Sequence, residues 1–439
     1  MTRFPSVETD AGRTVAIVGG GISGLTAARR FSQRGARVTV PEAGPRLGAS
    51  WLWTQRGLRR LPRPSASGAR SVSRTEPAEP PDVGPGGTVR EAVRTLNPGY
   101  FALVMATGIV STAMQNHHAY ALSVALLWLA GIEYAVLVIL HLWRLAVFRT
   151  EVGADLSDPR RGFGFFTFVA GTAVLGTRLA ADAHHLPAFV LLAVGGLAWL
   201  VLGYVVPWTA VLSQARRPVI AGANGTWFIW VVASQSVAVL AAALEPSATT
   251  GRRELALLAV FSWSVGVFLY AAAGIFVAAR LLVYELRPAD LTPPYWVSMG
   301  ATAITVVAGA RIVQMADAPM VAATRGLIAG ASVMFWAFGT WLIPALVAAG
   351  VWRHVVHRVP LRYEATLWSI VFPLGMYGVG GHYLGTADHL PIVKAIGANE
   401  SWVALAAWTL TFLAMLAHLT RSLRQPCAGS PLASAQPPR

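Results

Sequence analysis

The run Gly19-Gly20-Gly21-Ile22-Ser23-Gly24 follows a short apolar stretch at 14–18 and fits G-x-G-x-x-G, with Gly19, Gly21 and Gly24 in the three glycine positions. Glycines so spaced give a tight turn and let the backbone approach a pyrophosphate, and Glu42, at the end of the next apolar stretch at 37–40, could bond a ribose hydroxyl. A second set of residues points to different chemistry. Arg178, Arg311 and Glu133 stand inside long apolar segments, where an ionisable group is costly unless it is paired, protonated or put to use. The two arginines could form a cationic vestibule that concentrates anions, or could snorkel to lipid headgroups. Glu133 reads as an interhelical hydrogen-bonding carboxyl, with proton coupling as the other option. His117, His118, His184, His185, His382 and His389 have Asp182 and Asp388 near them in sequence, but they follow no ligand spacing and no metal site is expected. His141 and His418 have no further support as a haem pair. Cys427 is the single cysteine, which excludes an intrachain disulfide, a thiolate cluster and dithiol redox chemistry.

The elements that must position these residues belong in a membrane. The 439-residue chain is 55% hydrophobic and 13% charged with a mean hydropathy of +0.53, whereas soluble domains carry roughly 25% charged residues. A two-domain cytosolic enzyme is excluded. From Asn97 onward the apolar runs predict ten spanning helices near 98–115, 121–147, 163–181, 187–211, 222–243, 254–283, 294–315, 326–350, 362–384 and 400–420. Short loops make consecutive helices hairpins, and the odd members start at intervals of about 60 to 70 residues, the sign of five repeated units.

Odd helices are rich in Gly, Thr, Ser and aromatic residues, while even ones are dominated by Leu, Val, Ala and Trp. That contrast predicts an inner ring of odd helices, with even helices facing lipid; small residues serve either a polar path or close packing. Phe101, Thr107, Phe166, Thr226 and Thr302 are the pore-lining candidates on the odd helices. Net charge is +15, and of 35 basic residues only Lys394 is lysine. Fourteen basic residues fall in loops after even helices and in the C-terminal tail, against four in loops after odd helices, so both termini are expected in the cytoplasm. This placement puts Arg178 and Arg311 near the outer ends of their helices. It also explains the basicity without a nucleic-acid partner. The expected organisation is a βαβ fragment at 1–50, a disordered Pro/Gly/Ser/Arg-rich linker at 51–95, an all-α integral membrane domain at 96–424 and a disordered tail at 425–439.

The segment Asn97-Pro98-Gly99-Tyr100-Phe101-Ala102-Leu103-Val104-Met105-Ala106-Thr107-Gly108-Ile109-Val110-Ser111 resembles the first helix of the tellurite-resistance/C4-dicarboxylate transporter family, which includes the slow-type anion channels of plants. Ile370-Val371-Phe372-Pro373-Leu374-Gly375-Met376-Tyr377-Gly378 is similar to its ninth-helix segment, and the resemblance spans about 96–424. It implies five helical hairpins around a central pore, a homotrimer with one pore per protomer in the plasma membrane, and transport of small anions such as C4-dicarboxylate, tellurite-like oxyanion, sulfite or halide. It also implies that Phe372 gates the pore, with Pro373 turning the ring inward.

The N-terminal fragment, with Glu42-Ala43-Gly44-Pro45-Arg46-Leu47-Gly48, resembles the start of flavin amine oxidases and protoporphyrinogen oxidases over about 13–50, departing from them at Pro41 and Ala49. One βαβ unit cannot close around FAD, so the fragment reads as a truncated remnant and no cofactor is expected. The alternative functions are a membrane-anchored FAD-dependent oxidoreductase and a passive scaffold whose basic N-terminal region meets anionic lipids.

Overall fold

Small residues and long apolar residues segregate between two sets of helices, and that segregation builds the membrane domain. The computed structural model describes residues 14–16, 37–39, 85–214, 218–316 and 318–424. Contacts divide the chain into two units, 1–80 and 81–439. In the first, β1 (Thr14–Ala16) pairs parallel to β2 (Arg37–Thr39) with Val15 opposite Val38. The glycine run and Glu42 lie outside the described residues, as does the connection between the strands.

The second unit begins with α1 (Pro85–Arg94). Its presence corrects the expectation of a disordered linker up to 95. One face packs, with Val93 only 2% exposed, and the backbone oxygen of Arg94 accepts from Arg144 Nε at 3.1 Å. The Glu91 carboxyl is held below its ordinary value by the hydrogen bond that Arg94 donates to it.

Ten further helices follow in pairs. The first members are α2 (Ala102–Asn116), α5 (Phe166–Ala181), α7 (Phe228–Leu244), α9 (Val297–Ile312) and α11 (Trp368–Ala387). Their partners are α3 (Tyr120–Val147), α6 (His185–Val206), α8 (Arg252–Val283), α10 (Pro319–Val351) and α12 (Pro391–Arg424). A short helix, α4 (Arg149–Leu156), lies between the first two pairs.

Each first member is entered through a 3-10 turn: Pro98–Phe101, Gly162–Phe165, Gly225–Trp227, Pro293–Trp296 and Ala365–Leu367. Each packs on its own partner, and the first members also pack on one another in the closed order α2, α5, α7, α9, α11 and back to α2. Four of the turns within pairs use a left-handed residue, at His118, Ala183, Gly251 and His389, which reverses the chain in minimal length.

Burial follows composition. The window around α7 is 89% buried, and those of α10 and α12 only 6%. Among the described residues, seven helical segments are long and apolar enough to cross a membrane by length and composition, including all five outer helices. Glycine sets how closely the layers approach. A Cβ on Gly397 of α12 would stand 2.6 Å from the Gly378 oxygen and 2.8 Å from the His382 nitrogen of α11, so that pair packs backbone to backbone.

Candidate functional site

A narrow cavity lies on the axis of the five-helix ring, towards the C-terminal ends of its helices, and every helix of the ring contributes to its wall. The lining is Ile109 and Thr112 from α2, Ala173, Val174 and Thr177 from α5, Ser236 and Val239 from α7, Ile304, Val307 and Arg311 from α9, and Met376, Val379 and Tyr383 from α11. Its volume is about 20 Å³, room for about one water molecule. The wall is apolar apart from three hydroxyls, one phenol and one guanidinium. Arg311 donates from Nη2 to Tyr383 Oη at 2.7 Å, and its guanidinium carbon stands 4.4 Å from the centre of the Tyr383 ring.

One helical turn towards the N-terminal ends, each ring helix offers the residue four before a cavity-lining one. These are Met105, Ala170, Val232, Gly300 and Phe372, all buried. Phe372 is 1% exposed and shares its helix face with Met376, Val379 and Tyr383, at the spacings i, i+4, i+7 and i+11. At this level one aromatic side chain shares the ring with Met105, Val232 and two small residues, Ala170 and Gly300. Pro373 is spaced off that stripe and rests on the neighbouring helix, since a Cβ on Gly300 would stand 2.8 Å from its Cγ. As proline it also leaves the Ser369 carbonyl without a helical donor.

The remaining candidates are not brought to this axis. Arg178 is corrected from vestibule to structural tie. It is 1% exposed, pairs with Asp182 at 2.7 Å, and donates to Ser111 Oγ at 3.0 Å and Ser123 Oγ at 2.9 Å, so it joins α5 to α2 and α3. Thr107 turns outward and accepts from Trp408 Nε1 of α12 at 3.0 Å, with Glu133 of α3 beside it. Thr302 also turns outward, against Gly339 of α10.

Phe101 packs edge-on to Tyr134 and Phe168, between α3 and α5. Phe166 stacks on Phe163 and Trp230, while Thr226 lies in an entry turn with its hydroxyl near the Arg160 carbonyl at 3.4 Å. Phe101 and Thr226 miss the axis because they lie in the entry turns before their helices. For Thr107, Phe166, Arg178 and Thr302 the reason is phase: on a ring helix only one residue in three or four meets the axis, and composition cannot say which. Thr112, Thr177, Ser236 and Tyr383 were missed on the same account. The stripe through Phe372 and the one through Ile304 and Arg311 carried the phase that would have found them.

Among the described residues no group of three His, Cys, Asp or Glu side chains is placed to hold a metal ion. The arrangement suits passage or binding of a small anion, with a cationic group, hydroxyl-bearing walls and no carboxylate in the lining.

A family model for voltage-dependent anion channels matches residues 95–416, the whole helical ring included. The chain belongs to this family. It is a multi-pass membrane protein with the transport-family assignment that the two helix motifs carried in sequence. Its relatives include an uncharacterized membrane protein of Mycobacterium tuberculosis, 73% identical over 157 residues, which cover 36% of this chain and 80% of the relative. Two proteins named as uncharacterized transporters in Methanocaldococcus jannaschii are each 23% identical, over 74% and 73% of this chain and 93% and 94% of their own lengths. A separate match, to an NAD(P)-binding Rossmann-like domain, covers residues 17–62 and so includes the glycine run and Glu42.

Proposed function

We propose that this anion channel family member passes small anions along the axis of the ring α2, α5, α7, α9 and α11, with Phe372 as the closing side chain. The observation that carries the reading is the stripe Phe372, Met376, Val379, Tyr383, three of whose members wall a cavity to which all five ring helices contribute. A phenyl ring at the level of Ala170, Val232 and Gly300 fills a passage that is otherwise narrow and apolar. Pro373 seats the helix against Gly300 and so holds the ring in place. Anions reaching this level must shed water, which hydroxyls and a fixed positive charge offset only partly, so the path favours weakly hydrated monovalent species.

All ten long helices cross the bilayer as five hairpins in this reading. The three shortest, α2, α5 and α9, have 15, 16 and 16 residues, about 23 Å of helix at 1.5 Å per residue. Their 3-10 entry turns, Pro98–Phe101, Gly162–Phe165 and Pro293–Trp296, supply the rest of the crossing. Basic loops then put both termini in the cytoplasm and the cavity in the outer half of the plasma membrane. A homotrimer follows from the family resemblance. Domain limits near 50, 95 and 424 go with this topology, α1 being the cytoplasmic lead into the channel.

The Rossmann-like match favours a second, subordinate reading, in which Gly19, Gly21, Gly24 and Glu42 hold a dinucleotide. It predicts nucleotide retention by the full-length protein. The direct test of the main reading is anion flux from proteoliposomes under an imposed potential, with chloride, nitrate, sulfite and malate compared. Flux of monovalent anions above that of empty liposomes supports it, and no flux of any of the four refutes it.

A further inference from the structure

Six described arginines in the membrane domain are not exposed, and five of them have a carboxylate within 4.0 Å. Arg144 and Arg161 share Asp155, Arg178 has Asp182, Arg280 has Asp290 and Arg353 has Glu364. Arg311 is the exception among the described residues, and it is the one that walls the axial cavity. Its Nε is buried without a hydrogen-bond acceptor; Arg144, Arg161, Arg178 and Arg353 each carry such a nitrogen too, so what sets Arg311 apart is that no carboxylate compensates its charge. A half-buried guanidinium with an unused donor is incomplete, because an unsatisfied buried donor keeps its full desolvation cost. What Arg311 does touch is Tyr383, a neutral group that accepts one hydrogen bond and offers its ring face. The phenol leaves the positive charge uncompensated and keeps its own hydrogen free to donate.

The hydroxyls of the cavity do not compete for that role. Thr112, Thr177 and Ser236 donate to the carbonyls of Gly108, Ala173 and Val232, at 3.1, 2.8 and 2.7 Å, and so turn lone pairs towards the cavity. An anion there is repelled by those oxygens unless a hydroxyl rotates, which costs one helical back-bond. Attraction therefore rests on the Arg311 and Tyr383 pair alone.

Resting on the pore reading above, we propose that Arg311 and Tyr383 form an anion-binding site in the axial cavity, one turn and more beyond Phe372, for a small monovalent anion of nitrate or halide type. The guanidinium donates through Nε and a terminal nitrogen, and the Tyr383 hydroxyl donates alongside it. One unpaired positive charge and a cavity of about 20 Å³ select against dianions and against four-carbon dicarboxylates at this position. The site fills the channel from the outside and sets the concentration at which flux saturates.

The experiment uses the full-length protein, with nitrate as probe and gluconate holding ionic strength constant. Nitrate is expected to raise the unfolding temperature of the wild type in detergent and to leave that of Arg311→Gln unchanged. In liposomes the nitrate concentration for half-maximal flux is expected to rise about tenfold in Arg311→Gln, the loss of one charge-assisted contact, with Arg311→Lys recovering part of it. If Arg311→Gln does not fold, nitrate protection of Arg311 in the wild type against phenylglyoxal, read by mass spectrometry, decides the matter, and absence of protection overturns the site. Unchanged nitrate stabilisation and unchanged half-saturation in Arg311→Gln overturn the site and leave the pore standing. Nitrate stabilisation that depends on Arg311 in a protein without flux upholds the site and removes the pore. No nitrate effect of either kind on the wild type overturns both.

Discussion

Arg178 and Arg311 occupy neighbouring positions in a sequence-level account, and replacing Arg178 separates their roles. Arg178→Ala removes a side chain that is 1% exposed, its 2.7 Å ion pair with Asp182 and its two hydrogen bonds to serine hydroxyls. The serines lose little. Ser111 and Ser123 donate to each other's carbonyls at 2.7 Å whether or not the guanidinium is present. Asp182 is 26% exposed and keeps the amide of Gln115 at 3.0 Å, so it too is left partly satisfied. The cost should therefore fall at the low end of the range for breaking a buried pair, about 3 kcal/mol. Reversible unfolding in mixed micelles measures it, and flux per folded protein in liposomes measures function separately. The expected result is a clear loss of stability with an unchanged nitrate concentration for half-maximal flux. Intact stability together with weakened anion dependence would refute the assignment of Arg178 as a tie and return it to the conduction path.

Other consequences follow from the packing. Gly397→Ala puts a methyl group against the backbone of α11 at 2.6 to 2.9 Å, and overpacking of this kind is expected to cost about 1–3 kcal/mol in the same unfolding assay. Trp408→Phe keeps the ring stacked on Phe412 and deletes the 3.0 Å bond to Thr107, so a loss of about 1 kcal/mol is expected with flux unchanged, because Thr107 faces away from the axis. A chain beginning at Pro81 keeps α1 and its contact with Arg144; its flux per folded protein is expected to equal that of the full-length chain.

Much of the helical layout was legible because hydrophobic runs and turn residues carry it directly. Helix starts near 98, 163, 222, 294 and 362 fall within three residues of the 3-10 turns that open the ring helices. The contrast between small-residue and Leu-rich helices marked the ring and its surround, as the burial of α7 against that of α12 shows. Phase was not legible in the same way. Thr107 and Thr302 look like Thr112 and Thr177 by composition, yet the first two turn to outer helices and the others to the cavity. Nor did the sequence distinguish two arginines near helix ends, since the carboxylate that claims Arg178 is an i,i+4 partner at Asp182 whose pairing depends on Ser111 and Ser123 holding the guanidinium in place. Helix α1 was lost in a Pro- and Gly-rich stretch because its stability comes from docking Val93 and Arg94 onto the bundle, not from local propensity.

The central claim is that Phe372 closes an axial anion path, and the most direct measurement is nitrate flux at fixed potential from liposomes holding equal amounts of folded wild-type protein and Phe372→Ala. With Ala170, Val232 and Gly300 at the same level of the ring, removing the phenyl group leaves no other aromatic side chain there, so flux is expected to rise several-fold, about an order of magnitude if about 1.4 kcal/mol of barrier is removed. Flux no greater than wild type from a variant that unfolds at a comparable temperature would contradict it.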